Sequence, residues 1–124
     1  MIPNKKNTKK TGDKGEQLAV DFLIENGYKI LERNFRSGKA EIDIIARKNE
    51  FIVFVEVKTR SEYQNNNPGD LLSYAQQNRI TNAAHEYIIA KDLDLEARFD
   101  LMIILLRQSK AKVEHIEDAF YAMN

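Results

Sequence analysis

Two pairs of charged residues in the first half of the chain have the composition of a catalytic site. Glu41 and Asp43 stand two positions apart in the segment AEIDIIA, and Glu56 and Lys58 stand two apart in FIVFVEVKTR. Both segments are otherwise apolar, where an ionised side chain is costly to desolvate unless it is paired, solvated or bound to a metal. Because residues i and i+2 of a strand share a face, neighbouring strands would bring these groups together.

Such a patch suits metal-dependent cleavage of a phosphodiester bond. Asp43 and Glu56 could hold Mg²⁺ or Mn²⁺, since these cations prefer oxygen ligands. The backbone carbonyl of Val57 would be a further ligand, and Glu16, in an early helical segment, an outer or second-metal ligand. A bound metal lowers the pKa of a water molecule, and Lys58 would orient that water or stabilise charge on the phosphate.

Each pattern also has an ordinary structural explanation. A Glu-x-Lys pair in a strand is usually an exposed, salt-bridged face, and Glu16 is the expected partner of Asp13 in a helical capping box. Against this, Phe54 shares the face of Glu56 and Lys58, whereas a solvated strand face should alternate with polar residues. From the residues alone, both interpretations stay open.

The surrounding segments predict one α/β domain in the order α-β-β-β-α-β-β. Strands, marked by β-branched and aromatic runs, are expected at 28–36, 39–47, 51–59, 97–107 and 111–116. Helices, marked by apolar residues at helical spacing, are expected at 13–26, 70–91 and 117–123. The short links between the first three strands indicate an antiparallel meander.

Composition is typical of a globular protein. The chain has 124 residues, of which 43% are hydrophobic and 31% charged, and it has no cysteine. The lack of cysteine excludes disulfides and Cys-based zinc sites. No apolar run approaches the roughly 20 residues that a membrane span needs. We therefore expect a cytoplasmic protein with no membrane partner.

Charge is unevenly distributed along the chain. Residues 1–14 carry five lysines and one aspartate, a net of +4, although the whole chain has a net charge of zero. We expect residues 1–12 to form a disordered basic arm and residues 13–124 the folded domain. The lysines of the arm would either contact nucleic-acid phosphates or only keep the terminus soluble; they are Lys5, Lys6, Lys9 and Lys10.

Several motifs resemble the YraN-like family of small uncharacterised bacterial proteins. They are Gly15-Glu16, Glu41-Ile42-Asp43, Val55-Glu56-Val57-Lys58-Thr59-Arg60 and Arg98-Phe99-Asp100, and the resemblance covers roughly residues 12–107. That family in turn resembles the PD-(D/E)XK nucleases, and archaeal Holliday-junction resolvases in particular. The resemblance implies a restriction-endonuclease-like α/β domain, with a central mixed sheet flanked by helices, that cleaves phosphodiester bonds with a metal.

The same resemblance assigns roles to individual residues. It implies Asp43 as the first metal ligand, Glu56 as the second and Lys58 as the catalytic lysine. Gln76 stands where the family usually has a lysine, in a pattern whose Arg79 is retained. If that position contacts a phosphate, glutamine keeps the hydrogen bonding but loses the charge.

The leading hypothesis is a Mg²⁺- or Mn²⁺-dependent nuclease that cleaves DNA, with branched DNA as one candidate substrate. Arg60, directly after the catalytic segment, would contact a phosphate or form a strand-end salt bridge. The alternatives are a non-catalytic nucleic-acid-binding module and a partner-binding domain that only keeps the fold. A homodimer would suit a symmetric junction, although the sequence contains no direct sign of one.

Overall fold

The computed structural model describes residues 5–61 and 71–121, with side chains from residue 12 onward. The helices are α1 (Lys5–Glu25) and α2 (Tyr74–Lys91). The strands are β1 (Lys29–Ser37), β2 (Ala40–Lys48), β3 (Phe51–Arg60), β4 (Glu96–Arg107) and β5 (Lys110–Phe120). The observed order α-β-β-β-α-β-β confirms the predicted one.

The five strands form one mixed sheet in the order β1-β2-β3-β4-β5. The β1–β2 and β2–β3 pairs are antiparallel, which confirms the predicted meander. β3 and β4 are parallel, because the connection through α2 returns the chain to the end of the sheet at which β3 began. β4 and β5 are again antiparallel and are joined by a tight turn at Gln108, whose φ is 51°.

Each helix covers one face of the sheet, and we call these the α1 face and the α2 face. The core of the α1 face contains Ala19, Val20, Leu23, Ile44, Val53, Val55, Met102 and Ile104. The core of the α2 face contains Ile45, Phe54, Ile80, Ala83, Ala84, Tyr87, Leu101 and Ile103. Strand residues alternate between the two cores, as expected for a sheet buried on both sides. Within the described ranges, no helix is long and apolar enough to cross a membrane.

α1 begins earlier than predicted. Its backbone is helical from Lys5, whereas the sequence leads us to expect a disordered arm over residues 1–12; residues 1–4 lie outside the described residues. Lysine has a high helix propensity, and this segment contains no proline to stop the helix. Asp13 therefore lies inside α1, and the predicted capping box with Glu16 is wrong, because an N-cap must precede the first helical turn.

The start of α2 and the end of β5 also differ from prediction. α2 begins at Tyr74 and not at residue 70, because the hydroxyl of Ser73 caps it by accepting a hydrogen bond of 3.1 Å from the N–H of Gln76. The predicted short helix over 117–123 is wrong for residues 117–120, since β5 continues to Phe120, and residues 122–123 lie outside the described residues. Phe120 pairs with Phe99 of β4 and stacks on its ring at 5.2 Å, so tertiary pairing overrides the local helical spacing.

Candidate active site

The carboxylate of Asp43 lies where β2 separates from β3. The paired register of these strands begins at Ile44 and Val55 and does not include Asp43. There the Oδ2 atom of Asp43 accepts a hydrogen bond of 2.8 Å from the backbone N–H of Val57. The side chain thus takes the place of a main-chain carbonyl. Because the N–H and C=O of a strand residue point to the same side, the Val57 carbonyl, predicted as a ligand, faces this gap as well.

Glu56 and Lys58 meet Asp43 on the α2 face. Both follow Phe54 at alternate positions of β3, as predicted, and Phe54 lies in the α2-face core. Glu56 is 9% exposed, and its Oε1 atom lies 3.6 Å from the Nζ atom of Lys58. Asp43 and Glu56 line the same cavity and lie close enough for the charge of Asp43 to raise the pKa of Glu56. The structure therefore brings together the three residues that were predicted to be catalytic.

Burial makes this carboxyl pair hard to ionise. Burial, followed by repulsion from Asp43, raises the pKa of Glu56 to about 8 although Lys58 opposes the shift. Burial also raises the pKa of Asp43, against the hydrogen bond from Val57. The pair consequently holds a proton near neutral pH, and a bound cation would compete with that proton for the same oxygens.

The oxygen atoms at this site suit a metal that is also bound by water molecules and substrate phosphates. Among the described residues, no group of three or more His, Cys, Asp or Glu side chains could hold a metal ion. Asp43, Glu56 and the carbonyl of Val57 offer a partial shell of oxygens. Mg²⁺ is commonly bound by one or two carboxylates together with water and substrate phosphates, so it suits this shell better than zinc does.

A cavity of about 280 Å³ opens beside the two carboxyl groups. Its lining comes from the start of β2, from β3 and from the first turns of α2, and consists of Lys39, Ala40, Glu41, Asp43, Glu56, Gln76, Arg79 and Ile80. Gln76 and Arg79, the predicted phosphate contacts, thus lie at the same cavity as the carboxyl groups. Lys39 was missed by the sequence analysis; its only signal is a cation directly after the Ser37-Gly38 turn.

Glu16 reaches the site from α1. Burial, and then repulsion from Asp43, raise its pKa. In the amide orientation that satisfies its hydrogen bonding, the Asn34 nitrogen lies 3.1 Å from Glu16 Oε2 and 3.3 Å from Glu41 Oε1. Asn34, which links α1 to β2, was missed by the sequence analysis. Its signal is an asparagine inside a strand, where that residue is uncommon, and its φ is 53°.

Arg60, another predicted nucleic-acid contact, is not among the described residues that line the cavity. Arg60 is exposed, and its Nη1 atom donates a hydrogen bond of 2.8 Å to the carbonyl of Thr59. It forms no ion pair with an acidic residue in the described part of the chain. The backbone of Lys5, Lys6, Lys9 and Lys10 lies in the first turns of α1, and their side chains lie outside what the structure describes.

A second charged cluster is fully engaged in internal contacts on the α1 face. Asp100 has no exposed surface and accepts hydrogen bonds of 2.9 and 2.8 Å from Arg98. It also contacts the ring of His115 at 2.7 Å and the N–H of Asp118 at 3.0 Å. Burial raises the pKa of Asp100, but these hydrogen bonds outweigh it and lower the pKa overall. The cluster ties β4 to β5, as expected for a structural Arg98–Asp100 pair.

Residues 15–104 match the family described as Uncharacterised protein family UPF0102. The chain belongs to this family. A UPF0102 protein of Flavobacterium psychrophilum is 48% identical over 110 residues, which cover 89% of this chain and 92% of the relative. A UPF0102 protein of Alkaliphilus oremlandii is 43% identical over 115 residues, covering 90% and 98%. The predicted membership of the YraN-like family, which is UPF0102, is confirmed.

The matched region of UPF0102 contains the site but not the basic start of α1. It includes Glu16, Asp43, Glu56 and Lys58, whereas residues 5–10 precede it. Since the family is uncharacterised, an activity must be argued from the chemistry of the site itself.

Proposed function

We propose that this UPF0102 protein is a Mg²⁺- or Mn²⁺-dependent nuclease that hydrolyses DNA phosphodiester bonds. The observation that carries the proposal is that the Asp43 and Glu56 carboxyl groups, with Lys58 beside Glu56, lie close together at an open cavity. Such a buried pair costs stability, because both groups must be desolvated and their charges repel. Titratable groups with strongly shifted pKa values, when they line a cavity, are typical of functional sites.

Asp43, Glu56 and the carbonyl of Val57 would hold the metal. When bound, the metal would polarise the scissile phosphate and lower the pKa of a water molecule. The hydrogen bond from the N–H of Val57 fixes the orientation of the Asp43 carboxylate. Glu56 would hold the metal in its carboxylate form, because a neighbouring dication favours loss of the proton.

Lys58 and the rim of the cavity would act on the substrate. The Nζ atom of Lys58, held 3.6 Å from Glu56, can donate hydrogen bonds to the attacking water or to a phosphate oxygen. Lys39, Gln76 and Arg79 supply further hydrogen-bond donors at the cavity, which would position the phosphate for attack.

A cleavage assay with matched variants tests the proposal. Wild type, Asp43→Asn and Lys58→Met are incubated with Mg²⁺ or Mn²⁺ and with linear, single-stranded, flap and four-way-junction DNA. We expect the wild type to cut at least one substrate and each variant to lose about 100-fold or more in rate. Asp94→Asn, which removes an exposed charge in the connection between α2 and β4, is the control and should cut normally. Cleavage of no substrate, or undiminished cleavage by Asp43→Asn, would refute the proposal.

The alternative is a DNA-binding module without catalysis. The observation that favours it is the neutral Gln76 at the cavity, together with only two carboxyl groups of the described residues in reach of one metal. It predicts DNA binding that persists in Glu56→Gln and no cleavage by the wild type. Calorimetry with Mn²⁺ separates the two, since the module requires no metal binding at Asp43 and Glu56.

A further inference from the structure

Exposed cations continue along the α2 face beyond the reaction centre. Arg60 follows Glu56 and Lys58 at the next alternate position of β3, so it lies on the same face. Arg60 pairs with Leu105 of β4, and Leu105 pairs with Lys112 of β5. Because Leu105 packs on the α2-face core, Arg60 and Lys112 stand on that face on either side of it.

The β4–β5 hairpin adds two more cations to this face. Arg107 stands two residues after Leu105 and pairs with Lys110, so both share its face. Gln108, with φ of 51°, makes the tight turn between the strands and sets the two cations side by side. Four exposed residues therefore form a basic strip, which consists of Arg60, Arg107, Lys110 and Lys112.

The described residues do not neutralise the positive charge of the basic strip. No member of the strip forms an ion pair within the described part of the chain. Glu114, which pairs with Ile103, is half-buried further along β5. An open cavity of about 740 Å³ lies between Ser61 and the hairpin turn and is lined in part by Arg107 and Lys110. A concave surface lined by free cations fits a row of phosphate groups.

We propose that the basic strip binds the phosphate backbone of DNA leading away from the reaction centre, an inference that rests on the proposed action on DNA. Alternate strand residues are about 7 Å apart, so the path from Lys58 through Arg60 to Arg107 covers roughly 14 Å. At a rise of about 3.4 Å per nucleotide, this length matches about four nucleotides of one strand. Contacts with phosphates add affinity and fix the position of the DNA without reading its sequence.

A salt titration of DNA binding tests the basic strip. All proteins carry Asp43→Asn to prevent cleavage, and binding to a fluorescent DNA duplex is followed by anisotropy. The strip variant is Arg107→Gln/Lys110→Gln/Lys112→Gln. The control, Lys29→Gln/Arg47→Gln/Lys91→Gln, removes the same charge from exposed sites elsewhere. We expect the slope of log K against log salt to become shallower by about 2–3 in the strip variant, and affinity near 0.1 M salt to fall tenfold or more.

Several outcomes would overturn the basic strip. One is an equal loss of DNA affinity in the strip variant and the control. Another is that the protein without either triple substitution does not bind the duplex. A third is that the strip variant loses more affinity for RNA than for DNA. Cleavage by proteins with an intact Asp43 is measured in parallel, so the two proposals can fail separately. If binding depends on the basic strip but no DNA is cleaved, the nuclease proposal is refuted and the basic-strip proposal stands. If DNA is cleaved but the strip variant and the control have equal salt slopes, the basic-strip proposal is refuted and the nuclease proposal stands.

Discussion

A methyl group on the α-carbon of Gly15 would lie 1.9 Å from the hydroxyl oxygen of Thr59. α1 therefore crosses the end of β3 at a separation that only glycine allows. Thr59 adjoins Lys58, and Glu16 adjoins Gly15, so this close approach brings the Glu16 carboxyl group within the electrostatic influence of Asp43. The Gly15-Glu16 motif thus has a physical explanation, which is the docking of α1 on the strand that carries Glu56 and Lys58.

Gly15→Ala is expected to destabilise the protein. The new methyl group must displace Thr59 or the backbone of α1, and overpacking of this kind costs about 1–3 kcal/mol. The change in the free energy of unfolding is measured by urea denaturation. Gly12→Ala is the matched control, because it lies in the same helix with nothing within 4 Å of the added atom. It should be neutral or stabilise the helix by about 0.5–1 kcal/mol.

A second substitution shows whether Thr59 causes the loss. Thr59→Ala removes the hydroxyl and methyl groups nearest to the added Cβ, so the double variant with Gly15→Ala should recover a large part of the lost stability. The coupling energy comes from the complete double-mutant cycle. Strictly additive effects would show that the strain in Gly15→Ala arises elsewhere.

The raised pKa of Glu56 predicts an unusual dependence of stability on pH. A carboxyl group whose pKa is raised in the folded state destabilises the protein when it is ionised. For Glu56 this loss of stability is complete above about pH 8, and it disappears as the pH falls towards 4.5, the ordinary pKa of a glutamate. Each pKa unit corresponds to about 1.4 kcal/mol. Glu56→Gln should therefore stabilise the protein at pH 9 by a few kcal/mol, with little effect at pH 5.

Urea denaturation at pH 5, 7 and 9 measures this difference, with the exposed Glu50→Gln as the control. Because Asp43 shares the titration, the observed midpoint belongs to the pair. Mn²⁺ should raise the stability of the wild type most at pH 9, where the ligands are ionised. A Glu56→Gln variant that is equally destabilised at all three pH values would contradict the assignment.

Removing Arg98 should be among the most damaging single changes. Among the described residues, Arg98→Met leaves the fully buried Asp100 with His115 and one backbone N–H as its partners, and breaking a buried pair costs about 3–5 kcal/mol. Arg36→Met provides a contrast, because the Arg36–Glu41 pair is 3.7 Å long and its side chains are 79% and 42% exposed. That variant should lose about 1 kcal/mol or less.

The same cluster predicts sensitivity to acid. The pKa of Asp100 is lowered in the folded state, so its contribution to stability is present above its ordinary value of 3.8 and is lost as the pH falls further. Acid unfolding followed by circular dichroism should show this loss in the wild type. Asp100→Asn, if it folds, should show a weaker dependence on pH below 4, and an unchanged acid transition would argue against the cluster.

Much of the fold and of the site was predictable because its signals are local. Alternation within β3 places Phe54, Glu56 and Lys58 on one face whatever the strand packs against. By contrast, the helical spacing after residue 116 was misleading, since pairing of Phe120 with β4 outweighed it. His115 has no other histidine near it in the sequence, and its contact with Asp100 exists only because β4 and β5 are neighbours.

The sequence by itself determined the family, the order of the elements and the residue types of the proposed reaction centre, because motifs and strand alternation are properties of short segments. The tertiary structure decided the rest. Asp43 lies near Glu56 because β2 leaves β3 at that point and the Asp43 carboxylate replaces a main-chain hydrogen bond. The raised pKa values follow from the burial of these two groups, and burial is created only when the helices pack on the sheet.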